Sequence, residues 1–248
     1  MARRMAPASR ALSVVAPLPS EKKLSLLGGF VVSLGGQPVS LPASVQRLVA
    51  FLALNVHPSS RVLAASTLWP DGTEARAGSS LRSVVWRLGL VAPWLLDAGN
   101  GLALADDVAI DIREASVIAG RLSSEVGINP ERLELGPFLL DLLPDWYEDW
   151  VIMERERYRQ TRLHALEALC QLLTARGRHA RAVDAGLAAV AGEPLRESAH
   201  RVLIAAHLAE GNVSEAVRQY RSYRRLLWEE LGVEPSSELE SLVDLNTR

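Results

Sequence analysis

The C-terminal part of the chain repeats itself with a period of 34 residues. The pairs that match across this shift are Arg162 and Arg196, Ala165 and Ala199, Leu169 and Leu203, Ala175 and Ala209, Gly177 and Gly211, Ala182 and Ala216, and Val183 and Val217. Gly177 and Gly211 fall where each unit would turn between two helices. Units of this length bury a core only by stacking on their neighbours, so the period predicts an all-α array.

The spacing within the repeats is that of a tetratricopeptide array. The first unit fits this pattern at Leu169, Ala182, Ala189 and Pro194. The second unit departs from it, because its last helix runs on to Gly232 and Pro235 then opens a final helix through about Leu245. Such an array leaves a groove on one face, which we expect to contact a protein or a ligand.

Short β-like runs and paired glycines come before the first helix. The runs are Leu24–Leu27, Phe30–Leu34 and Val39–Leu41, separated by Gly28-Gly29 and Gly35-Gly36. Apolar runs punctuated by glycine turns predict a small antiparallel sheet. The glycines do not form a phosphate loop, because no Gly-Lys-Ser/Thr follows them.

Two short helices are predicted after the sheet. The first has its apolar residues at the helical period, at Val45, Leu48, Val49 and Leu52. Ser44 is the candidate N-cap of this helix. The second helix runs from Val62 to Leu68 behind the caps Ser59-Ser60 and ends at Trp69-Pro70. The N-terminal part is therefore predicted as α+β.

A third helix, roughly Ala75–Leu88, divides its residues between two chemically different faces. Its core face carries Leu81, Val84, Val85 and Leu88. Its opposite face carries Arg76, Ser79, Ser83, Trp86 and Arg87, with Arg82 on the flank, and no acidic residue follows Glu74. Arginine can donate two hydrogen bonds to guanine or phosphate and serine can reach phosphate, so this face predicts a major-groove reader. The alternatives are a solvated surface helix, or a neighbouring domain that covers Trp86.

Asn100-Gly101 stands between two apolar runs and is a strong hairpin signal. A sheet, three helices and a terminal hairpin occur in this order in the winged helix-turn-helix. In that fold the third helix enters the major groove, and the hairpin wing lies on the adjacent DNA backbone. We therefore expect Asn100 in the wing to contact DNA.

The composition is that of a globular protein. The chain has 248 residues, of which 48% are hydrophobic, and this excludes wholesale disorder. Charges and prolines interrupt every apolar run before the ~18 residues that a membrane-spanning helix needs. The single cysteine, Cys170, excludes an intrachain disulfide framework and a Cys-cluster zinc site. We expect a cytoplasmic protein with no membrane contact and with a disordered tail at residues 1–22.

The charge is distributed unevenly along the chain. Residues 1–112 carry 10 basic and 7 acidic residues, a balance of +3, and residues 113–248 carry 17 basic and 22 acidic residues, a balance of −5. Such asymmetry is typical when one half meets an anionic partner. The overall net charge of −2 does not reveal this asymmetry, because the two balances nearly cancel. We therefore predict a winged helix-turn-helix domain at residues 23–112 and a helical domain at residues 113–248.

An acidic, aromatic cluster at Pro144–Trp150 precedes the long helical region. Acidic residues near a helix N-terminus offset the positive end of its dipole. Trp146, Tyr147 and Trp150 have two interpretations. They pack the seam between the two domains, or they form a recognition pocket for a partner.

No arrangement of residues supports catalysis, so we expect neither an enzyme nor a bound metal or cofactor. The histidines of the repeat helices are His164, His179, His200 and His207, and no two of them have the i, i+4 spacing of a helical metal site. They are predicted as surface or groove residues. Cys170 is predicted as a small core residue.

Four segments resemble the SARP-type (antibiotic regulatory protein) transcriptional activators. They are Leu24–Gly28, Ser80–Leu88, Asp145–Val151 and Glu229–Pro235, within a resemblance that covers about residues 23–245. The most specific part is the late segment from Leu195 to Pro235. The resemblance implies a bacterial, mainly α protein with a small β component. In it, a winged helix-turn-helix is followed by a bacterial transcriptional activator domain of tetratricopeptide-like helices.

The resemblance also implies a function. Proteins of this kind bind direct repeats in double-stranded DNA as side-by-side protomers, a homodimer on DNA, and recruit RNA polymerase. Arg87 matches an arginine of the recognition helix, Ser83 and Trp86 fall at groove-facing positions, and Arg47 on the first helix would contact phosphate. The alternative is a tetratricopeptide-like adaptor or effector sensor with a degenerate winged helix.

This sequence departs from the family pattern at two positions near the DNA. Where many members continue the third helix with Leu-Arg, this chain has Leu88-Gly89. Where their wing carries Gly-Tyr-Arg-Leu, this chain has Gly101-Leu102-Ala103-Leu104. Because affinity depends steeply on phosphate contacts, we expect one protomer to bind weakly, and tight binding to need dimerisation or polymerase.

Overall fold

The computed structural model describes residues 21–97, 101–124 and 127–244. The strands are β1 (Lys22–Ser25), β2 (Val31–Leu34), β3 (Gln37–Pro38) and β4 (Val108–Ile110). The helices are α1 (Ala43–Leu54), α2 (Arg61–Leu68), α3 (Glu74–Val91), α4 (Asp111–Ser124), α5 (Gly136–Leu139), α6 (Asp149–Ala175), α7 (His179–Gly192), α8 (Glu197–Ala209), α9 (Val213–Leu231) and α10 (Ser237–Asp244). This order confirms the predicted fold class. Within the described residues, no helix is long and apolar enough to cross a membrane.

The sheet is mixed, whereas the sequence predicts a purely antiparallel one. Its strand order is β3-β2-β1-β4, and β4 runs parallel to β1 with Val108 opposite Lys22. The prediction misses β4 because this strand follows the third helix and its three residues are too few for a periodicity signal. Val39–Leu41, predicted as a strand, lies outside the strands. The amide of Val39 there donates to the carbonyl of Val32 at 2.8 Å.

Helices α1–α3 and strands β1–β4 make up what we call the N-terminal unit, and its helices begin at recognisable residues. Pro42 precedes α1 without a side-chain cap, so the prediction that Ser44 caps this helix is wrong. The hydroxyl of Ser60 caps α2, as predicted, by accepting from the amide of Leu63 at 3.1 Å. Thr73 caps α3 through the amide three residues later, at 3.4 Å.

The hairpin predicted after α3 has its two arms in antiparallel contact. Leu96 bridges Leu104, and the amide of Asp97 donates to the carbonyl of Ala103 at 3.1 Å. These contacts support the predicted wing. Asn100, predicted to contact DNA from its tip, lies outside the described residues.

Helix α4 is joined to the N-terminal unit by hydrogen bonds between residues far apart in the chain. The carboxylate of Asp111 accepts from the amide of Leu26 at 3.0 Å. Arg113 donates to the carbonyls of Leu52 and Ala53, at 3.0 and 2.9 Å. These carbonyls belong to the C-terminal end of α1, where the helix itself supplies no donors. The guanidinium of Arg113 therefore completes the hydrogen bonding of α1 from another element.

The segment between α4 and α6 returns to the sheet. Leu27 and Leu142 form an antiparallel bridge. Arg155, in the second turn of α6, donates to the carbonyls of Leu142 and Trp146, at 2.8 and 2.7 Å. The buried apolar side chains of the N-terminal unit consequently continue into those of α6, α7 and α8 as a single packed core.

Helices α6–α10, which we call the helical array, stack in the predicted helix–turn–helix order. Gly177 and Gly211 adopt φ of +68° and +84° at the predicted turns, where a left-handed backbone favours glycine. Cys170 is buried, as predicted. At Gly186 of α7, a Cβ would lie 3.1 Å from the Cβ of Leu203 in α8, so the absence of a side chain lets these helices approach closely.

Candidate nucleic-acid interface

The outward face of α3 carries six of the residues that the sequence predicts for DNA contact. They are Arg76, Ser79, Arg82, Ser83, Trp86 and Arg87, and all are exposed. The buried residues of α3 are Ala77, Leu81, Val84 and Leu88. The helix continues to Val91, beyond its predicted end at Leu88, so Gly89 does not stop it. The division of α3 into two faces is confirmed, and contact with DNA stays a prediction.

Two hydrogen bonds hold part of this face in place. The hydroxyl of Ser83 donates to the carbonyl of Ser79 at 3.1 Å, which leaves the hydroxyl oxygen free to accept. Nη1 of Arg87 donates to the hydroxyl of Ser44 in α1 at 3.1 Å. Arg87 is thereby oriented by the first helix, and its remaining donors face outward.

The outward face of α3 is positively charged beyond its first turn. Glu74 lies in that first turn, where a carboxylate offsets the helix dipole. Within the described part of the chain, Arg76 and Arg82 form no ion pair. A free guanidinium presents a planar fork of donors that matches a guanine edge or a phosphate. Trp86, 67% exposed, adds an apolar platform beside these cations.

Arg47 has surroundings that the sequence does not predict. Its Nε lies 2.9 Å from Oε1 of Glu148, and its Nη2 donates to the carbonyl of Leu68 at 2.9 Å. The Nε–H is not aimed along the line to the carboxylate, so this contact is an ion pair rather than a directed hydrogen bond. A DNA phosphate would compete with Glu148 for Arg47.

Two of the three aromatic residues predicted for partner binding lie in the seam between the N-terminal unit and α6. Trp146 stacks on Phe30 with ring centroids 5.8 Å apart, and Trp150 meets Phe51 edge-on at 5.9 Å. Tyr147, by contrast, is 78% exposed. Seam packing is therefore the interpretation that fits the two tryptophans, and Tyr147 remains available to a partner.

A cleft of about 700 Å³ opens between the α2–α3 turn and the start of α6. Arg47 and Arg76 line it from the N-terminal unit, and Tyr147, Glu148 and Asp149 line it from the other side. The first turn of α3 and the start of α6 thus share one cleft.

The residues that join the two parts of the molecule give no local signal in the sequence. Asp111, Arg113 and Arg155 are ordinary charged helix residues by pattern, yet each bonds to backbone groups of another segment. Burial raises the pKa of Asp111 even though backbone amides bond to it, and burial lowers the pKa of Arg113. Both groups are partly withdrawn from water, which marks them as structural.

His200 is buried, so its prediction as a surface or groove residue is wrong. Its Nε2 lies 2.8 Å from the carbonyl oxygen of Pro194, and its Nδ1 lies 2.9 Å from Nε2 of Gln219. Its ring stacks on Tyr223 with centroids 4.0 Å apart. Burial lowers the pKa of His200, which favours a neutral ring that donates to Pro194 and accepts from Gln219.

Sequence comparison finds a family model and two relatives that match parts of the chain. Residues 133–244 match the family model of the bacterial transcriptional activator domain. The chain is 35% identical over 141 residues to the Regulatory protein AfsR of Streptomyces griseus, covering 57% of this chain and 14% of that protein. It is 38% identical over 89 residues to the Regulatory protein AfsR of Streptomyces coelicolor, covering 36% of this chain and 9% of that protein. The match thus spans a small part of either relative.

Structure comparison extends the likeness to the N-terminal unit. The chain superposes on Mycobacterium tuberculosis EmbR, solved in complex with a low affinity phosphopeptide, with a TM-score of 0.69 at 21% identity. The superposition covers 92% of this chain and 65% of that chain. At this identity the likeness shows the fold. The comparisons thus show a bacterial transcriptional activator domain at residues 133–244, partial sequence similarity to two regulatory proteins, and a fold shared with EmbR over most of the chain.

Proposed function

We propose that this chain is a sequence-specific DNA-binding transcriptional activator whose helix α3 enters the major groove. The observation that carries the proposal is the exposed face of α3, which combines Arg76, Arg82 and Arg87 with no acidic residue after Glu74. The place of α3 before the hairpin wing supports the same assignment, because the third helix of a winged helix-turn-helix is the one that reads DNA.

Arg82 and Arg87 are the residues we propose for base or phosphate contact. Each can give two parallel hydrogen bonds to guanine or to a phosphate. Ser79 and Ser83 are small and hydroxylated, so they permit close approach and hydrogen bonding to the backbone. Trp86 offers apolar contact to a thymine methyl group or a sugar.

We propose residues 23–112 as the DNA-binding unit and residues 113–248 as the unit that contacts the transcription machinery, with RNA polymerase as its partner. The family match at residues 133–244 supports the second assignment. Two protomers side by side on direct repeats would combine their phosphate contacts. We further propose that the protein acts in the cytoplasm and performs no catalysis.

A single protomer should bind DNA weakly in this proposal. Gly89 and the wing segment Gly101–Leu104 supply no cation to the DNA backbone, and Arg47 is already paired with Glu148. Affinity changes steeply with the number of phosphate contacts, since each one releases roughly one counterion. A second protomer on the DNA, or contact with polymerase, would then supply the additional binding free energy that tight binding needs.

Selection of the full chain on a random duplex library tests the proposal and also yields the operator. We expect enrichment of a direct repeat. Substitution Arg82→Ala or Arg87→Ala should weaken binding to that repeat about 10- to 100-fold, since a base-reading arginine is worth roughly 1–3 kcal/mol. The matched control is Arg121→Ala, an exposed arginine in the last turn of α4, which should bind like the wild type.

A protein-interaction module is the second candidate function. It is favoured by one observation: Trp86 and Leu90, one helical turn apart on α3, are both exposed, at 67% and 62%. If α3 contacts a protein, the library will yield no sequence and no duplex will bind at any salt concentration. That outcome would reject the DNA-binding proposal.

A further inference from the structure

The outer face of α9 is basic and aromatic, although it belongs to the half of the chain whose charge balance is negative. Arg218, Arg221, Arg225 and Trp228 follow one another three or four residues apart, and all are exposed. At this spacing the side chains stand in one row along the helix. The row lies opposite the buried residues Ala216, Tyr223 and Leu227. We call these four exposed residues the α9 stripe.

Two arginines of the α9 stripe have no partner among the residues that the structure describes. Arg221 and Arg225 make no ion pair or side-chain hydrogen bond with any residue in the described part of the chain. Suitable carboxylates are close in sequence: Arg224 pairs with Glu234 at 2.6 Å, and Glu229 comes four residues after Arg225 without pairing to it. Like charges three and four residues apart destabilise a helix. An anionic partner would relieve this repulsion.

Apolar surface continues from the α9 stripe. Trp228 is 58% exposed, and Leu231 and Val233 beyond it are also exposed. A shallow depression of about 500 Å³ lies beside Trp228, lined also by Arg221 and Arg225 and, at its edge, by the ion pair of Arg224 with Glu234. A second depression, of about 600 Å³, lies along the other side of the same arginines. Tryptophan and arginine are the residue types that contribute most to binding at protein interfaces.

We propose that the α9 stripe binds an acidic, partly apolar segment of a protein partner. Its unpaired arginines select an anionic partner, and each depression beside them can accept a carboxylate. The exposed apolar residues Trp228, Leu231 and Val233 favour a protein segment over a nucleic-acid backbone, whose surface is phosphate and sugar. Helix α9 packs against α8 and α10, away from α3, so the inference does not depend on DNA binding by α3.

The test measures binding of the full chain to two labelled peptide probes by fluorescence anisotropy. One probe is a short amphipathic peptide in which glutamates alternate with leucine and phenylalanine, and the other carries glutamine in place of every glutamate. We expect the glutamate peptide to bind, with an affinity that falls as salt is added, and the glutamine peptide not to bind. The double substitution Arg221→Glu and Arg225→Glu should weaken binding at least about tenfold, and Trp228→Ala should weaken it as well.

A matched variant separates a local site from general charge. Arg121→Glu combined with Arg132→Glu makes the same change in net charge at two exposed arginines outside α9, and it should bind the glutamate peptide like the wild type. A second readout locates the site directly. The indole N–H resonance of Trp228, assigned from its absence in Trp228→Phe, should shift when the glutamate peptide is added, while circular dichroism confirms that each variant is folded.

Four results would overturn the proposal. The first is failure of the wild type to bind the glutamate peptide, and the second is an equal loss of binding in the control variant. The third is that reversal of Arg221 and Arg225 weakens binding to random duplex DNA but not to the peptide, which would make phosphate the occupant. The fourth is that the same reversal abolishes self-association in light scattering without affecting the peptide, which would make a second copy the occupant.

Discussion

His200 lies at the contact between α8 and α9, where its ring stacks on Tyr223 and both of its nitrogens face hydrogen-bonding partners. Replacement of His200 should lower the free energy of unfolding, because the carbonyl of Pro194 and the side-chain amide of Gln219 would each lose a hydrogen-bonding partner. Buried polar groups left without partners cost about 1–3 kcal/mol each. The specific packing of the second half of the array therefore depends on a residue that a sequence pattern would assign to the surface.

Acidification should destabilise the fold through His200. Burial lowers the pKa of this residue in the folded state, whereas in the unfolded chain it titrates near about 6.5. Between these two pKa values the unfolded state binds a proton that the folded state does not bind. The contribution of His200 to the free energy of unfolding is therefore fully present above the unfolded pKa and is lost as the pH falls towards the folded pKa. Urea unfolding at about pH 7.5 and about pH 5.5 measures the loss.

The variant His200→Gln should be less stable than the wild type at the higher pH and should lose less stability on acidification. His164→Gln is the matched control for removal of a histidine ring, because His164 lies exposed on α6. Parallel pH dependences for the wild type and His200→Gln would show that His200 does not carry the effect.

At the scale of elements, two helical glycines should respond to alanine with opposite sign. In α7, a Cβ on Gly186 would lie 3.1 Å from Leu203, so Gly186→Ala overpacks the contact between α7 and α8. Alanine also has the higher helix propensity, which offsets part of this cost. The net effect should be a loss of up to about 2 kcal/mol in the free energy of unfolding. In α4, no atom of the described residues lies within 4 Å of a Cβ on Gly120, so Gly120→Ala should stabilise the fold by about 0.5–1 kcal/mol. Thermal and urea unfolding of both variants measure these changes.

Stabilisation by Gly186→Ala equal to that by Gly120→Ala would mean that α7 and α8 can separate at no cost. The close approach of α7 and α8 would then not be the reason why glycine occupies position 186.

The elements themselves follow from the sequence to the extent that they are periodic. Helix α3 and its two faces are predicted because Leu81, Val84 and Leu88 recur at 3.6-residue spacing, and the turns at Gly177 and Gly211 follow from the 34-residue repeat. Strand β4 is not predicted, because three residues carry no period and its partner β1 is distant in the chain.

In the candidate DNA-binding site, too, local features are predicted from the sequence and contacts between distant segments are not. The outward face of α3 is predicted because exposure on a helix is a local consequence of spacing. The ion pair of Arg47 with Glu148 is not, since it forms across the seam between distant segments. The sequence pattern of a helical arginine is the same whether its side chain will contact a phosphate or a carboxylate. Tertiary packing determines which of the two it contacts.

At the scale of the whole molecule, the seam couples the N-terminal unit to the helical array. Arg47 and Glu148 provide its charged contact, and both side chains are about a third exposed, at 31% and 30%. Solvent screening at that exposure limits the pair, so a double-mutant cycle of Arg47→Ala and Glu148→Ala should give a coupling of about 0.5 kcal/mol in the free energy of unfolding. The coupling should shrink further in high salt.

A coupling of zero at low salt would mean that the Arg47–Glu148 pair adds nothing to the seam, which is then held by the shared apolar core and by the hydrogen bonds of Asp111, Arg113 and Arg155.

The salt dependence of DNA binding measures whether the outward face of α3 holds DNA. On the selected duplex, the slope of log K against log salt should fall by about one for each arginine that contacts phosphate, so the double variant Arg82→Ala and Arg87→Ala should lose up to about two from the wild-type slope together with most of its affinity. Arg121→Ala should keep the wild-type slope. Identical slopes and affinities for the wild type and the double variant would mean that DNA is not held by α3.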